Sequence, residues 1–137
     1  MTAPAADQTA LTVTSDADVV RVRQVARDLA VTARLSIVDQ TKLVTATSEL
    51  ARNTLVYGGG GEVRATLVER MGRTGVELVF SDEGPGIADV ELALTDGWTS
   101  GGGMGLGLSG TKRLVDEFAI DSAPGEGTRV RILKWRR

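Results

Sequence analysis

The sequence contains no cysteine and no histidine, and only three prolines in 137 residues. Without cysteine there are no disulfides and no thiolate chemistry; without histidine there is no imidazole base and none of the usual zinc sites. Catalysis on this chain therefore rests on carboxylates, hydroxyls, amides, lysine or arginine, with a borrowed cofactor or metal. A run of about 20 apolar residues, as a membrane span requires, is missing, and so is a signal peptide, so a cytoplasmic location is the expectation. The formal charge of −2 gives no broad electrostatic grip on nucleic acid or an anionic membrane. The basic pair Arg136-Arg137 is too short to change that.

What is present is an ordinary soluble composition, 42% apolar and 25% charged, at a length suited to one domain. Residues 1–9, MTAPAADQT, are small and polar and read as a flexible tail, which leaves 10–137 as the domain. Glycine is in excess, with 17 residues against a usual share of about 7%. Four of them fill Gly58 to Gly61 and six more fall between Gly101 and Gly110. Both clusters abut apolar periodic segments, so they are loops inside one domain and not linkers between two.

Hydrophobic periodicity orders the elements. Leu11 to Thr14 alternates as a short strand. Ser15 or Asp16 caps a helix to about Ala33, with Val19, Val22, Ala26 and Leu29 on one stripe. A second helix runs from about Val38 to Tyr57, turning Leu43, Thr47, Leu50 and Thr54 inward, and Gly58 ends it. Val63 to Arg70 and Val76 to Asp82 alternate with period two around a turn at residues 71–75. A short helix covers Asp89 to Leu94, a longer one runs from about Leu106 to Phe118, and strands at Ala119 to Ala123 and Thr128 to Trp135 close the chain. Hairpins make antiparallel pairs, so the fold class is α+β: a two-layer sandwich, its mixed and mainly antiparallel sheet covered by helices on one face.

Three features carry candidate chemistry. Glu49 and Asn53 are four apart on the second helix and leave the same face. A carboxylate there can take a proton, and an amide oxygen is a hard ligand suited to Mg²⁺; a solvated polar pair is the plainer reading. Asp82 shares the parity of Val76, Leu78 and Phe80, so it stands at the rim of a buried face and needs a donor, such as the exocyclic amine of a purine. Capping of a tight turn is the alternative. Gly84 and Gly86 just beyond it leave room for a flat group to approach the backbone. Gly101, Gly102, Gly103, Met104, Gly105, Leu106 and Gly107 lead into a helix, where free backbone N–H groups suit an anion; a mobile surface loop is the alternative. The dinucleotide fingerprint fits Gly105 to Gly110 by spacing but has no strand before it, and the order Gly110-Thr111-Lys112 is not that of a Walker A loop. The protein-kinase motifs are absent. Jointly the three features describe a nucleotide site that binds Mg-ATP without a P-loop.

The residues Glu49-Leu50-Ala51-Arg52-Asn53, then Asp82-x-Gly84-x-Gly86, then Gly101 to Gly107 resemble the N, G1 and G2 boxes of the GHKL ATPase/kinase superfamily. Further stretches are similar to the switch kinases of bacterial stress-response partner switching within it: Asp96 to Gly102, Lys112-Arg113-Leu114, Asp116-Glu117-Phe118, Gly125 to Thr128 and Lys134-Trp135. The resemblance runs from about residue 40 to the end and implies the Bergerat ATP-binding sandwich. It implies that Asn53 holds Mg²⁺ and that Glu49 is the general base. It implies that Asp82 reads adenine with help from Thr128 across the sheet, that Gly84 and Gly86 floor the base, and that Gly101 to Gly107 form the phosphate lid. Many superfamily members end the first motif's helix with histidine; here that place is Tyr57. The implied activity is protein serine/threonine phosphorylation with ATP and Mg²⁺. The implied partners are a STAS-domain antagonist as substrate and a PP2C-type phosphatase, and a homodimer is compatible with this. Arg21, Arg23, Arg27 and the Trp98 segment are candidate contacts, with solvated charge and local packing the plainer reading. The alternatives are an anti-sigma factor of the same superfamily, a free-standing ATPase or histidine-kinase catalytic domain acting in trans, and an inactive nucleotide-binding fold.

Overall fold

The computed structural model describes residues 8–95 and 107–137. Its elements run β1 (Gln8–Val13), α1 (Asp16–Thr32), α2 (Ile37–Val56), β2 (Gly61–Arg70), β3 (Arg73–Asp82), α3 (Val90–Ala93), α4 (Gly107–Arg113), β4 (Glu117–Ser122) and β5 (Thr128–Trp135). The strands form one sheet in the order β1-β2-β3-β5-β4, and every neighbouring pair is antiparallel. The two-layer α+β sandwich is thus as expected, its sheet wholly antiparallel where a mixed one was allowed for.

Local chemistry sets the helix starts. Ser15 and Ser36 are N-caps whose hydroxyls accept from the backbone N–H groups of Asp18 and Asp39, each worth about 1 kcal/mol. On α1 the buried stripe is Val19, Val22, Ala26 and Ala30, with Leu29 half-buried beside it; on α2, Leu43, Thr47, Leu50 and Thr54 all point inward. The two helices pack on each other and lie over one face of the sheet.

Strand register stacks that face in rows. Leu78 of β3 stands beside Ala65, Ile132 and, beyond Ile132, Phe118; Phe80 stands beside Val63, Val130 and, beyond Val130, Ile120. One step further the row turns polar: Gly61, Asp82, Thr128 and Ser122. At the opposite end Val76 is paired with Lys134, whose buried ammonium lies 3.5 Å from Asp39 and 3.7 Å from Asp116. The outer face has no helix over it among the described residues. There Arg131 bridges Glu77 and Glu117, and Arg70 and Arg73 lie over the Trp135 ring at 5.1 and 4.7 Å, a charged layer covering Leu133 and Trp135.

Several boundaries differ from the sequence expectation. The turn expected at residues 71–75 is reduced to Met71-Gly72, since β3 already begins at Arg73, which pairs with Arg70. β1 begins at Gln8, inside the expected tail. The helix expected to reach Phe118 stops at Arg113, because the Asp116 N–H donates to Leu133 O and swings the chain into β4, where Phe118 pairs with Ile132. Leu114, Val115 and Phe118 fit a helical period, but sheet pairing claims the last of them.

Candidate nucleotide-binding site

The polar end of the sheet opens into a cavity of about 380 Å³ between the C-terminal half of α2, the ends of β3 and β5, and α3, a size suited to a small cofactor. Leu50, Phe80, Ile87, Leu92, Leu108 and Val130 make its apolar walls. Its polar lining includes Asn53, Tyr57, Asp82, Asp89 and Thr128. A mostly apolar slot with few polar groups at one end is the shape that takes a flat heteroaromatic ring and reads one edge of it.

Several sequence candidates therefore meet in one place. Asn53, Asp82, Gly86, Gly107 and Thr128 all line the cavity. Asp82 leaves β3 with the parity of Val76, Leu78 and Phe80, as the alternation required, and its Oδ1 accepts the Gly84 N–H at 2.9 Å. Gly84 is thus behind the carboxylate and not in the lining. Glu49 lies half-buried one turn before Asn53 on α2, outside the cavity lining. Gly101, Gly102, Gly103, Met104, Gly105, Leu106 and Trp98 fall outside the described residues.

The segment after Asp82 is held by backbone and hydroxyl contacts. Gly86 has φ +77°, and a Cβ there would lie 2.0 Å from the Ala123 carbonyl oxygen, so only glycine lets this loop close on the β4–β5 turn. The Gly125 N–H donates to Pro85 O, and the Ile87 N–H donates to Ser122 Oγ. Thr128 stands opposite Asp82 in the ladder, yet its hydroxyl engages Ser122 Oγ at 2.8 Å, while Asp82 takes the Gly84 N–H.

Sequence reasoning missed Ser122, Ile87, Leu92 and the role of Gly58. Ser122 was findable: it continues the inward parity of Phe118 and Ile120, and a hydroxyl at an inward strand end wants a partner. Gly58 was read as the helix terminator, but the positive φ after α2 belongs to Gly59 and Gly60. Gly58 instead lies against the Asp82 carboxylate, where a side chain has no room.

Comparison with known proteins adds to this geometry. The family model described as histidine kinase-, DNA gyrase B-, and HSP90-like ATPase matches residues 38–137. The serine/threonine-protein kinase RsbT of Bacillus subtilis is 40% identical over 131 residues, 96% of this chain and 98% of that protein. The anti-sigma F factor of the same organism is 29% identical, covering 69% of this chain and 68% of its own. Among solved structures, the RsbU and RsbW domains of Rv1364c from Mycobacterium tuberculosis superpose with a TM-score of 0.63 at 20% identity; the match takes in 94% of this chain and 32% of that one. That last likeness is one of fold.

Proposed function

The chain belongs to the histidine kinase-, DNA gyrase B- and HSP90-like ATPase family and to its RsbT-type serine/threonine kinases, and from that premise we propose that it phosphorylates a STAS-domain antagonist on serine or threonine. In the same proposal it activates a PP2C-type phosphatase once released, as a partner-switching regulator of a stress-response sigma factor. ATP binding follows from the family. The observation that carries the reading is the convergence of Asn53, Asp82 and Thr128 on one cavity.

Phosphoryl transfer needs placement and charge neutralisation more than covalent help from side chains, which is why a chain without histidine can perform it. Asp82 holds the base edge with a carboxylate already oriented by the Gly84 N–H. Asn53 offers an amide oxygen at the cavity wall, and a single neutral protein ligand suits Mg²⁺, which keeps waters and phosphate oxygens as its other ligands. Bound there, Mg²⁺ would supply charge neutralisation to the triphosphate. Glu49, one turn away, would accept the proton of the incoming seryl or threonyl hydroxyl, and Gly101 to Gly107 would cover the phosphates. Having both Glu49 and Asn53 in the sequence argues against an inactive nucleotide-binding fold.

An anti-sigma role would use the same site with a different partner. The greater identity and coverage of the kinase relative favour the switch kinase. The test is labelled ATP with a STAS-domain protein, comparing the native chain with Glu49→Ala. The variant should lose about 10²–10⁴ in rate while ATP affinity by calorimetry stays the same. Phosphorylation at the native rate by the variant removes the base assignment. Recovery of a sigma factor, and not of a STAS protein or phosphatase, on the chain used as bait overturns the partner assignment.

A further inference from the structure

Ser122 Oγ makes three contacts at the cavity end of the sheet. It accepts the Ile87 N–H at 2.8 Å, lies 2.8 Å from the Gly127 carbonyl oxygen, and lies 2.8 Å from Thr128 Oγ1. The protons of these contacts can be assigned by elimination. An amide N–H only donates and a carbonyl only accepts, while a serine hydroxyl has one proton. The Ser122 proton therefore goes to Gly127 O, and the proton between the two hydroxyls comes from Thr128. Any other assignment leaves two oxygens facing each other at 2.8 Å with no proton between them.

Thr128 lines the cavity. With its proton committed to Ser122, it turns only lone pairs toward a ligand. Asp82, its neighbour across the β3–β5 ladder, adds carboxylate oxygens, one of which already accepts the Gly84 N–H. The two form an edge of acceptors side by side.

We propose that Ser122 is a positioning residue that fixes the direction of the Thr128 hydroxyl and so selects a 6-amino purine over a 6-oxo purine. An exocyclic amine presents two N–H donors to this edge. A 6-oxo purine brings one donor, its N1–H, which meets only one of the two acceptors; its oxygen turns lone pairs to the other, and the Thr128 hydroxyl cannot turn to meet it without giving up Ser122. The proposal rests on the ATP-site reading and concerns a residue that does not line the cavity itself. It places base selection in one row of the sheet, Asp82, Thr128 and Ser122, within which the Thr128 hydroxyl bonds Ser122.

The experiment is calorimetric titration of ATP and inosine triphosphate into the native chain, Ser122→Ala, Thr128→Val and the double variant, each checked for folding by circular dichroism. The native chain should prefer ATP. Ser122→Ala frees the Thr128 proton to donate to the 6-oxo group, so the ATP-to-inosine triphosphate preference should narrow by about tenfold, the weight of one hydrogen bond reversed. Thr128→Val should narrow it as well, and adding Ser122→Ala to Thr128→Val should change it no further. Equal weakening of both nucleotides in Ser122→Ala makes Ser122 structural only and overturns the proposal. If Ser122→Ala does not fold, Thr128→Val decides, and a native preference in that variant overturns it. A native chain that binds neither nucleotide sinks the ATP-site reading itself and the proposal with it.

Discussion

Gly58 and Asp82 meet so closely that a Cβ on Gly58 would lie 2.5 Å from Asp82 Cγ and 2.6 Å from Oδ2. The end of α2 is thus the back wall of the carboxylate that faces the cavity, and Gly84 completes that wall, since a Cβ there would lie 2.8 Å from Gly58 Cα. Gly58→Ala should push the Asp82 carboxylate off the Gly84 N–H and weaken ATP binding by about tenfold or more. Circular dichroism should show the fold retained. Native ATP affinity in the variant would show that the carboxylate's position is not set by this contact.

Lys134 is 4% exposed and lies between Asp39 and Asp116. Asp116 also accepts the Trp135 N–H at 2.7 Å. Lys134→Met leaves the largely buried Asp39 carboxylate without this cation, while Asp116 keeps Arg137, and should cost about 3–5 kcal/mol in urea unfolding. Adding Asp39→Asn should return part of that loss, because the variant then buries one uncompensated charge fewer.

The N-terminus of α1 supplies an acid-sensitive contact. Asp18 accepts the Thr14 N–H at 2.9 Å and the Thr14 hydroxyl at 3.0 Å, and these bonds, the backbone one foremost, hold its carboxyl below the usual 3.8 against a smaller opposing effect of burial. A lowered folded pKa contributes stability above the unfolded value, and that contribution is lost as pH falls through the folded one. The stability gap between the native chain and Asp18→Asn should therefore be constant at neutral pH and shrink below 3.8. A gap of constant size down to about pH 3 would contradict the linkage.

The β2–β3 hairpin turns on Met71 and Gly72, with φ of +52° and +80°, and Met71 is 96% exposed. Both central residues of such a turn are left-handed, which asparagine tolerates far better than methionine. Met71→Asn should raise stability by about 0.5–1 kcal/mol, read as a higher Tm with nucleotide affinity unchanged.

Much of this was legible because periodicity and parity report on burial. The period-two alternation of Val76, Leu78 and Phe80 placed Asp82 at the open end of the inner face, and the four-residue spacing put Glu49 and Asn53 on a common side of α2; that Asn53 and Asp82 line one cavity came from the structure. The end of α4 was not legible, since Leu114, Val115 and Phe118 satisfy a helical period while only contact with Leu133 and Ile132 turns the chain into β4. Gly58 was misread for a related reason. A glycine needed for close approach looks the same in sequence as one needed for a left-handed turn. The link of Thr128 to Asp82 came from the family resemblance, and the bond of Thr128 to Ser122 depends on the β4–β5 register, which the turn at Pro124 to Gly127 sets.

The strand that brings Thr128 to the cavity comes last in chain order, yet it lies inside the sheet, between β3 and β4. A nascent chain that has made α1, α2 and the β2–β3 hairpin has most of the walls of the nucleotide cavity but no floor. It also exposes the whole free edge of β3, a pairing made slow by the distance along the chain to β5. Insertion of β5 closes that edge and completes the Asp82–Thr128–Ser122 row in the same event. The Asp82–Thr128 edge of the cavity therefore exists only once β5 has taken its place between β3 and β4.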